Sequence, residues 1–179
     1  MKTALYLMKK ISLIVCLYIS SYCYAQTTDT IEWRSNYKLK WSDFKATPDS
    51  NSVNGAMTST TISYTIIKKD SVLDVIVNCA FNKPWSWSKF KNSSIGLLHE
   101  QGHFDISELF ARKFREVVRK KKFKENSAII VLYRELMDEK KRYNQLYDIE
   151  TDYCNNVKKQ AYWSKRIMIE INKLSAYKR

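Results

Sequence analysis

Two histidines, three glycines and two prolines are all that the 179 residues contain. So little glycine and proline, beside 13% aromatic residues and no low-complexity tract or internal repeat, excludes a disordered chain and implies one folded domain with a real core. Long apolar runs are missing as well. The longest, Ile11 to Ile19, is too short to span a bilayer and follows Lys2, Lys9 and Lys10. That order, with Ala25 as the cleavage position, reads as a signal peptide over residues 1–25 and predicts an exported protein, periplasmic or extracellular. Of the four cysteines only Cys79 and Cys154 lie beyond it; they either pair across the domain or remain buried thiols, and they have no metal-ligand spacing.

Acids are outnumbered, 18 against 31 Lys and Arg, and losing the three signal lysines takes the formal charge from +13 to +10. Much of the excess is the run Arg119-Lys120-Lys121-Lys122. Cations at a helix end suit the dipole there, and a charge run alone carries no recognition chemistry. Nucleic acid is therefore not expected as a partner, and a weak pull toward anionic surfaces is the most the run implies.

The two histidines are placed as His99-Glu100-Gln101-Gly102-His103, an HExxH motif. On a helix, residues i and i+4 lie one above the other, so both imidazoles reach a single ion. A glutamate beside the first ligand can act as general base on a zinc-activated water, which points to a zinc metallopeptidase with a peptide or protein substrate. Gly102 costs such a helix about 1 kcal/mol, which a close backbone or ligand approach would explain.

Around the motif the periodicity changes once. Thr58 to Ile67 and Val72 to Phe81 alternate as strands and predict a hairpin, while from Ser93 onward the period is helical. A helix over Ser94–Lys121 carries His99 and His103 on the stripe of Ile95, Ile106, Phe110 and Val117. A second, Ser127–Thr151, has a seam of Ile129, Tyr133, Leu136, Tyr143 and Tyr147. A third follows Asn155 and Asn156, with Val157, Ala161, Ile167, Ile171 and Leu174 aligned. The expectation is an α+β fold, a small antiparallel sheet followed by a three-helix, zincin-like part. The mature chain, 26–179, reads as a single domain, β-rich over 26–90 and helical over 91–179. Val72 to Phe81 is a candidate strand for aligning an extended substrate.

Catalytic zinc needs a third protein ligand. No third histidine exists, and Leu109 stands where the metzincin pattern needs one, so a carboxylate or a tyrosinate has to serve. Asp105 and Glu108 point away from the histidine stripe; Asp105 can still orient a neighbouring group. If the second helix runs through Tyr147-Asp148-Ile149-Glu150-Thr151, Glu150 projects near the Tyr143 and Tyr147 seam, and Asp148 lies more than a quarter turn away. Helix projection thus favours a His99, His103, Glu150 zinc set. Tyr147 or Tyr153 is the candidate for stabilising a tetrahedral oxyanion.

Several stretches together resemble a family of exported bacterial proteins described as predicted secreted zinc-dependent proteases. They are Leu39-Lys40-Trp41-Ser42-Asp43-Phe44, Ser86-Trp87, Leu97 through Ile106, Tyr147-Asp148 with Glu150-Thr151, and Gln160 with Trp163. The resemblance covers most of the mature chain and implies zinc binding by His99 and His103 and an exported location. The family pattern has a histidine two positions after Glu-Thr, where this chain has Tyr153. That departure motivates a rival function, a non-catalytic exported binding module with a degenerate or structural metal site.

Overall fold

The hairpin is built from β-branched and aromatic residues that alternate between two faces. In the computed structural model, which describes residues 29–179, β3 (Thr60–Lys69) and β4 (Val72–Asn82) pair antiparallel from Thr60↔Phe81 to Lys69↔Val72. The two-residue turn places Asp70 at φ 53°, a conformation that a short polar side chain tolerates. β1 (Thr30–Glu32) adds to the other edge of β4, giving the order β1-β4-β3. A separate two-stranded ribbon joins β2 (Ala56–Met57) to β5 (Trp87–Ser88). The signal-peptide reading of residues 1–25 lies outside the described residues.

Because β4 is central, it cannot align a substrate, contrary to the expectation for Val72 to Phe81. The rest of its outer edge is also occupied: Arg115 Nε donates to the Val77 carbonyl at 3.1 Å, and Leu73 N–H to the Phe123 carbonyl at 2.9 Å.

Three helices follow: α1 (Ser94–Lys120), α2 (Asn126–Thr151) and α3 (Val157–Lys173). The small antiparallel sheet followed by three helices is the expected α+β arrangement. α1 does not behave as an amphipathic surface helix with one buried stripe. Its middle is buried on every side, because the sheet covers one flank and α2 and α3 cover the other. Phe104, Ile106, Leu109, Phe110 and Phe114 are almost fully buried and meet Ile62, Val77 and Phe81 from the sheet. The inward face of α3 is Gln160, Trp163, Ile167 and Ile171; Val157 and Ala161 are both exposed, so the expected apolar stripe fails over the first two turns.

The segment before the hairpin straps across α1. Trp33 Nε1 donates to Asp105 Oδ1 at 2.8 Å, Leu39 N–H to Gln101 Oε1 at 2.8 Å, and Trp41 Nε1 to the Ser93 carbonyl at 3.1 Å. Gln101 Nε2 closes the link to Asp105 at 2.8 Å, so Asp105 does orient its neighbours. Burial pushes the Asp105 carboxyl above the usual range, against the Trp33 and Gln101 donors.

Glu108 is the other buried acid of α1. Its carboxylate meets Arg112 Nε at 2.8 Å and Arg115 Nη1 at 3.0 Å. Arg112 and Arg115 also donate to the carbonyls of Ile171 and Tyr177, tying the C-terminal end to the core. Removing one member of a buried ion network leaves the others uncompensated. Glu108→Gln is therefore expected to destabilise the fold by about 3–5 kcal/mol, read as a lowered urea midpoint with an unchanged slope.

Candidate metal centre

Ser93 starts α1 by accepting the Gly96 N–H at 3.0 Å, and from there the helix carries His99 and His103 one turn apart. Their rings are nearly perpendicular, at 89°, with the two Nε2 atoms 3.3 Å apart. Each Nδ1 is engaged elsewhere. His103 Nδ1 lies 2.7 Å from Asn144 Oδ1, and His99 Nδ1 lies 3.1 Å from Gln160 Oε1. The amide groups are oriented by their other bonds: Asn144 Nδ2 donates to the Lys140 carbonyl, and Gln160 Nε2 donates to the Tyr147 hydroxyl. Both oxygens thus face imidazole, both Nδ1 atoms carry the proton, and both Nε2 atoms present bare lone pairs.

The third atom of the cluster is Asp148 Oδ1, 3.3 Å from His99 Nε2 and 3.1 Å from His103 Nε2. It is buried, and with both imidazoles protonated on Nδ1 it has no hydrogen-bond donor; a proton on either Nε2 would supply one. Three lone-pair atoms this close, with no proton between them, repel unless a cation is shared. Two imidazoles and one carboxylate form a donor set that suits zinc, and their spacings match the ~3.4 Å edge of a tetrahedron with bonds near 2.1 Å. Among the described residues this trio is the one group of His, Cys, Asp or Glu side chains that meets the spacing for an ion.

With protons alone between them, the groups shift in opposite directions. Burial pushes His103 down, but the hydrogen bond to Asp148 and the charges of Glu100 and Asp148 outweigh it and hold its pKa above the ordinary value. Burial raises Asp148, but the two imidazoles overcome it and draw the carboxyl to about 2. Both shifts are those of an ion pair, a protonated imidazole beside an ionised carboxylate.

Glu150, the expected third ligand, is elsewhere. Its Oε2 accepts from Lys159 Nζ and from Trp163 Nε1, each at 3.1 Å, between α2 and α3. The projection failed because α2 has two contact flanks. Tyr143, Tyr147 and Thr151 face the seam with α3 and the base of α1, while Asn144 and Asp148, at i and i+4, form the neighbouring stripe beside the imidazoles. A polar pair at that spacing was the available signal for Asp148.

Tyr147 is not placed to stabilise an oxyanion either. It is fully buried and its ring stacks on His99 at 4.6 Å and 13°. Its hydroxyl donates to the His99 carbonyl at 3.0 Å, and burial raises its pKa well above that of a free phenol. Tyr147 positions the first histidine. Its presence also explains Gly102: a Cβ built there would sit 2.2 Å from the Tyr147 hydroxyl.

The trio opens into a cleft of about 770 Å³, which Glu100, Thr58, Lys140 and Tyr153 also line. Glu100 is buried, and its Oε2 accepts from Thr58 Oγ1 at 2.6 Å. Tyr153 is exposed and belongs to a run of three left-handed residues, Asp152, Tyr153 and Cys154 at φ 48°, 49° and 72°, that ends α2 at the cleft mouth. Such residues cost about 1–3 kcal/mol each and mark a turn held by its surroundings. Cys154 and Cys79 are free thiols, so the disulfide alternative does not form. Asn144, Thr58, Gln160 and Lys140 had no signal in the sequence by which to assign a role at this site, although Gln160 lies in the stretches that carry the family resemblance.

Comparison with family models, with curated proteins and with solved structures gives no match to this chain.

Replacing Gly102 by Ala separates helix propensity from packing. A free helix would gain about 1 kcal/mol, whereas overpacking against Tyr147 costs about 1–3 kcal/mol. Gly102→Ala is expected to lower the thermal midpoint, and a raised midpoint would contradict the close approach.

Proposed function

We infer that this chain is a zinc-dependent peptidase that holds its metal through His99, His103 and Asp148 and uses Glu100 as general base. The observation that carries the reading is the convergence of three metal-ligating side chains, His99, His103 and Asp148, with Glu100 beside them in one open cleft. Closed four-ligand sites are structural, whereas three ligands facing a cleft are the catalytic arrangement. Bound zinc supplies Lewis-acid chemistry, polarising a carbonyl and acidifying water.

The chain's own residues have separate tasks. Asn144 and Gln160 hold the imidazoles in the tautomer that turns Nε2 toward the metal. Tyr147 fixes the plane of His99 by stacking. Thr58 donates to Glu100 Oε2, leaving Oε1 as the atom that takes the proton of the attacking water and delivers it to the leaving amine. Tyr153, at the mouth, is the remaining tyrosine for steadying an oxyanion. The signal-peptide reading puts this activity outside the cytoplasm; no helix among the described residues is long and apolar enough to cross a membrane. The resemblance to secreted zinc-dependent proteases supports the same reading.

Elemental analysis of protein lacking residues 1–25 is expected to find about one zinc per chain. Asp148→Asn should weaken zinc binding by more than about 100-fold, and Asn144→Ala by about 10–100-fold, while Glu150→Gln leaves it unchanged. The reverse order for Asp148 and Glu150 would restore the helix-projection ligand set. Glu100→Gln should keep the zinc and lose about 10²–10⁴-fold in peptide hydrolysis. Zinc without hydrolysis in the unmodified protein would leave the binding-module function instead.

A further inference from the structure

Lys140 stands on α2 in line with Asn144 and Asp148, at i, i+4 and i+8, and lines the same cleft. Its ammonium donates to Thr60 Oγ1 at 3.3 Å, a long bond. Thr60 and Ser107 share a 2.7 Å hydroxyl contact, and Ser107 Oγ donates to the His103 carbonyl at 3.0 Å. Since the single Ser107 proton goes to that carbonyl, Thr60 donates to Ser107 and accepts from Lys140. The chain leaves two of the three ammonium donors without a protein acceptor among the described residues.

The carboxylates nearby have other partners, and Glu100 accepts from Thr58. Glu139, next to Lys140 in sequence, pairs with Lys113, and Asp148 faces the imidazoles. No carboxylate among the described residues lies within ion-pair distance of Lys140. Burial pushes this lysine below the usual range, and the Cys79 side chain only partly offsets it. An anion arriving from solvent would relieve that cost.

Position gives the cation a meaning. Thr58, in the link before β3, holds Glu100, and Thr60, the first residue of β3, holds Lys140, so the two cleft groups are held from one short segment. On α2, Lys140 lies two turns, about 12 Å of helix rise, before Asp148, so the cation stands a few residues of an extended substrate away from the trio. The other end of the cleft, beside the first turn of α1, is rimmed by the exposed apolar side chains of Val53, Met57 and Phe90.

We propose that Lys140 is the anion-recognition end of the cleft and that the substrate is a peptide presenting a carboxylate there, a few residues from the scissile bond, with an apolar side chain toward the opposite rim. The proposal rests on the peptidase reading of this cleft and names its substrate class. The carboxylate is either a free C-terminus or an acidic side chain, which ask the same of Lys140.

The experiment uses Glu100→Gln protein supplied with zinc, so that substrates bind without turnover. Three fluorescent peptides share one apolar core: one ends in a free carboxylate, one in an amide, and one in an amide with a glutamate a few residues from the central bond. Fluorescence anisotropy is expected to show one acidic peptide binding about tenfold or more tighter than the neutral amide. Lys140→Met, which keeps the apolar stem, should abolish that preference, and Lys140→Arg should retain it. Which acidic peptide is preferred identifies the source of the carboxylate. Equal binding of all three, no binding of any, or a preference that survives Lys140→Met in folded protein would overturn the proposal. Zinc measured in the same samples separates the two readings: zinc without an acid preference removes the Lys140 subsite alone, and an acid preference without zinc removes the metal centre alone.

Discussion

The distance between α1 and α2 at Gly102 governs the rest of this molecule. An aromatic ring laid against a helix backbone needs a missing side chain, and Gly102 supplies it beneath Tyr147. With the ring seated there, its face stacks on His99, its hydroxyl takes the His99 carbonyl, and the next residue along α2 is brought beside both imidazoles. A longer separation would leave two histidines on a helix face with no carboxylate in reach. The helix cost of glycine, about 1 kcal/mol, is thereby explained by packing.

Polarity around the two histidines is arranged from the outside inward. Asn144 and Gln160 are neutral amides, and each is oriented by a second bond, so neither can rotate its NH2 toward an imidazole without losing that bond. Imidazoles held this way expose lone pairs toward Asp148, and the carboxylate adds its own unpartnered oxygen. Acceptors facing one another without donors are costly, and a shared proton or a metal ion at the centre relieves that cost. The shifts of His103 and Asp148 toward their charged forms express the same demand in protons.

The polar residues of α1 within and just beyond the motif have structural work. Gln101 and Asp105 secure the strap from Trp33 to Trp41 over α1, and Ser107 links the His103 carbonyl through Thr60 to Lys140. A helix buried on all sides must satisfy its polar side chains internally, and here those bonds connect the strap, the sheet and the cleft. The run of polar positions between His99 and Glu108 is therefore as much a packing feature as a chemical one.

What was legible in the sequence was whatever depends on neighbours along the chain. The hairpin follows from alternation, the three helices from their period, and the pairing of His99 with His103 from one helical turn. The placement of Asp148 rather than Glu150 beside the imidazoles, the burial of Tyr147, and the contacts of Asn144, Thr58 and Lys140 were decided by tertiary structure. α2 touches α1 on one flank and α3 on another, and a helical projection of a single chain cannot distinguish two contact flanks separated by about 100°. Local periodicity specifies which residues share a face; only the packing of one helix against two others determines which face meets the imidazoles.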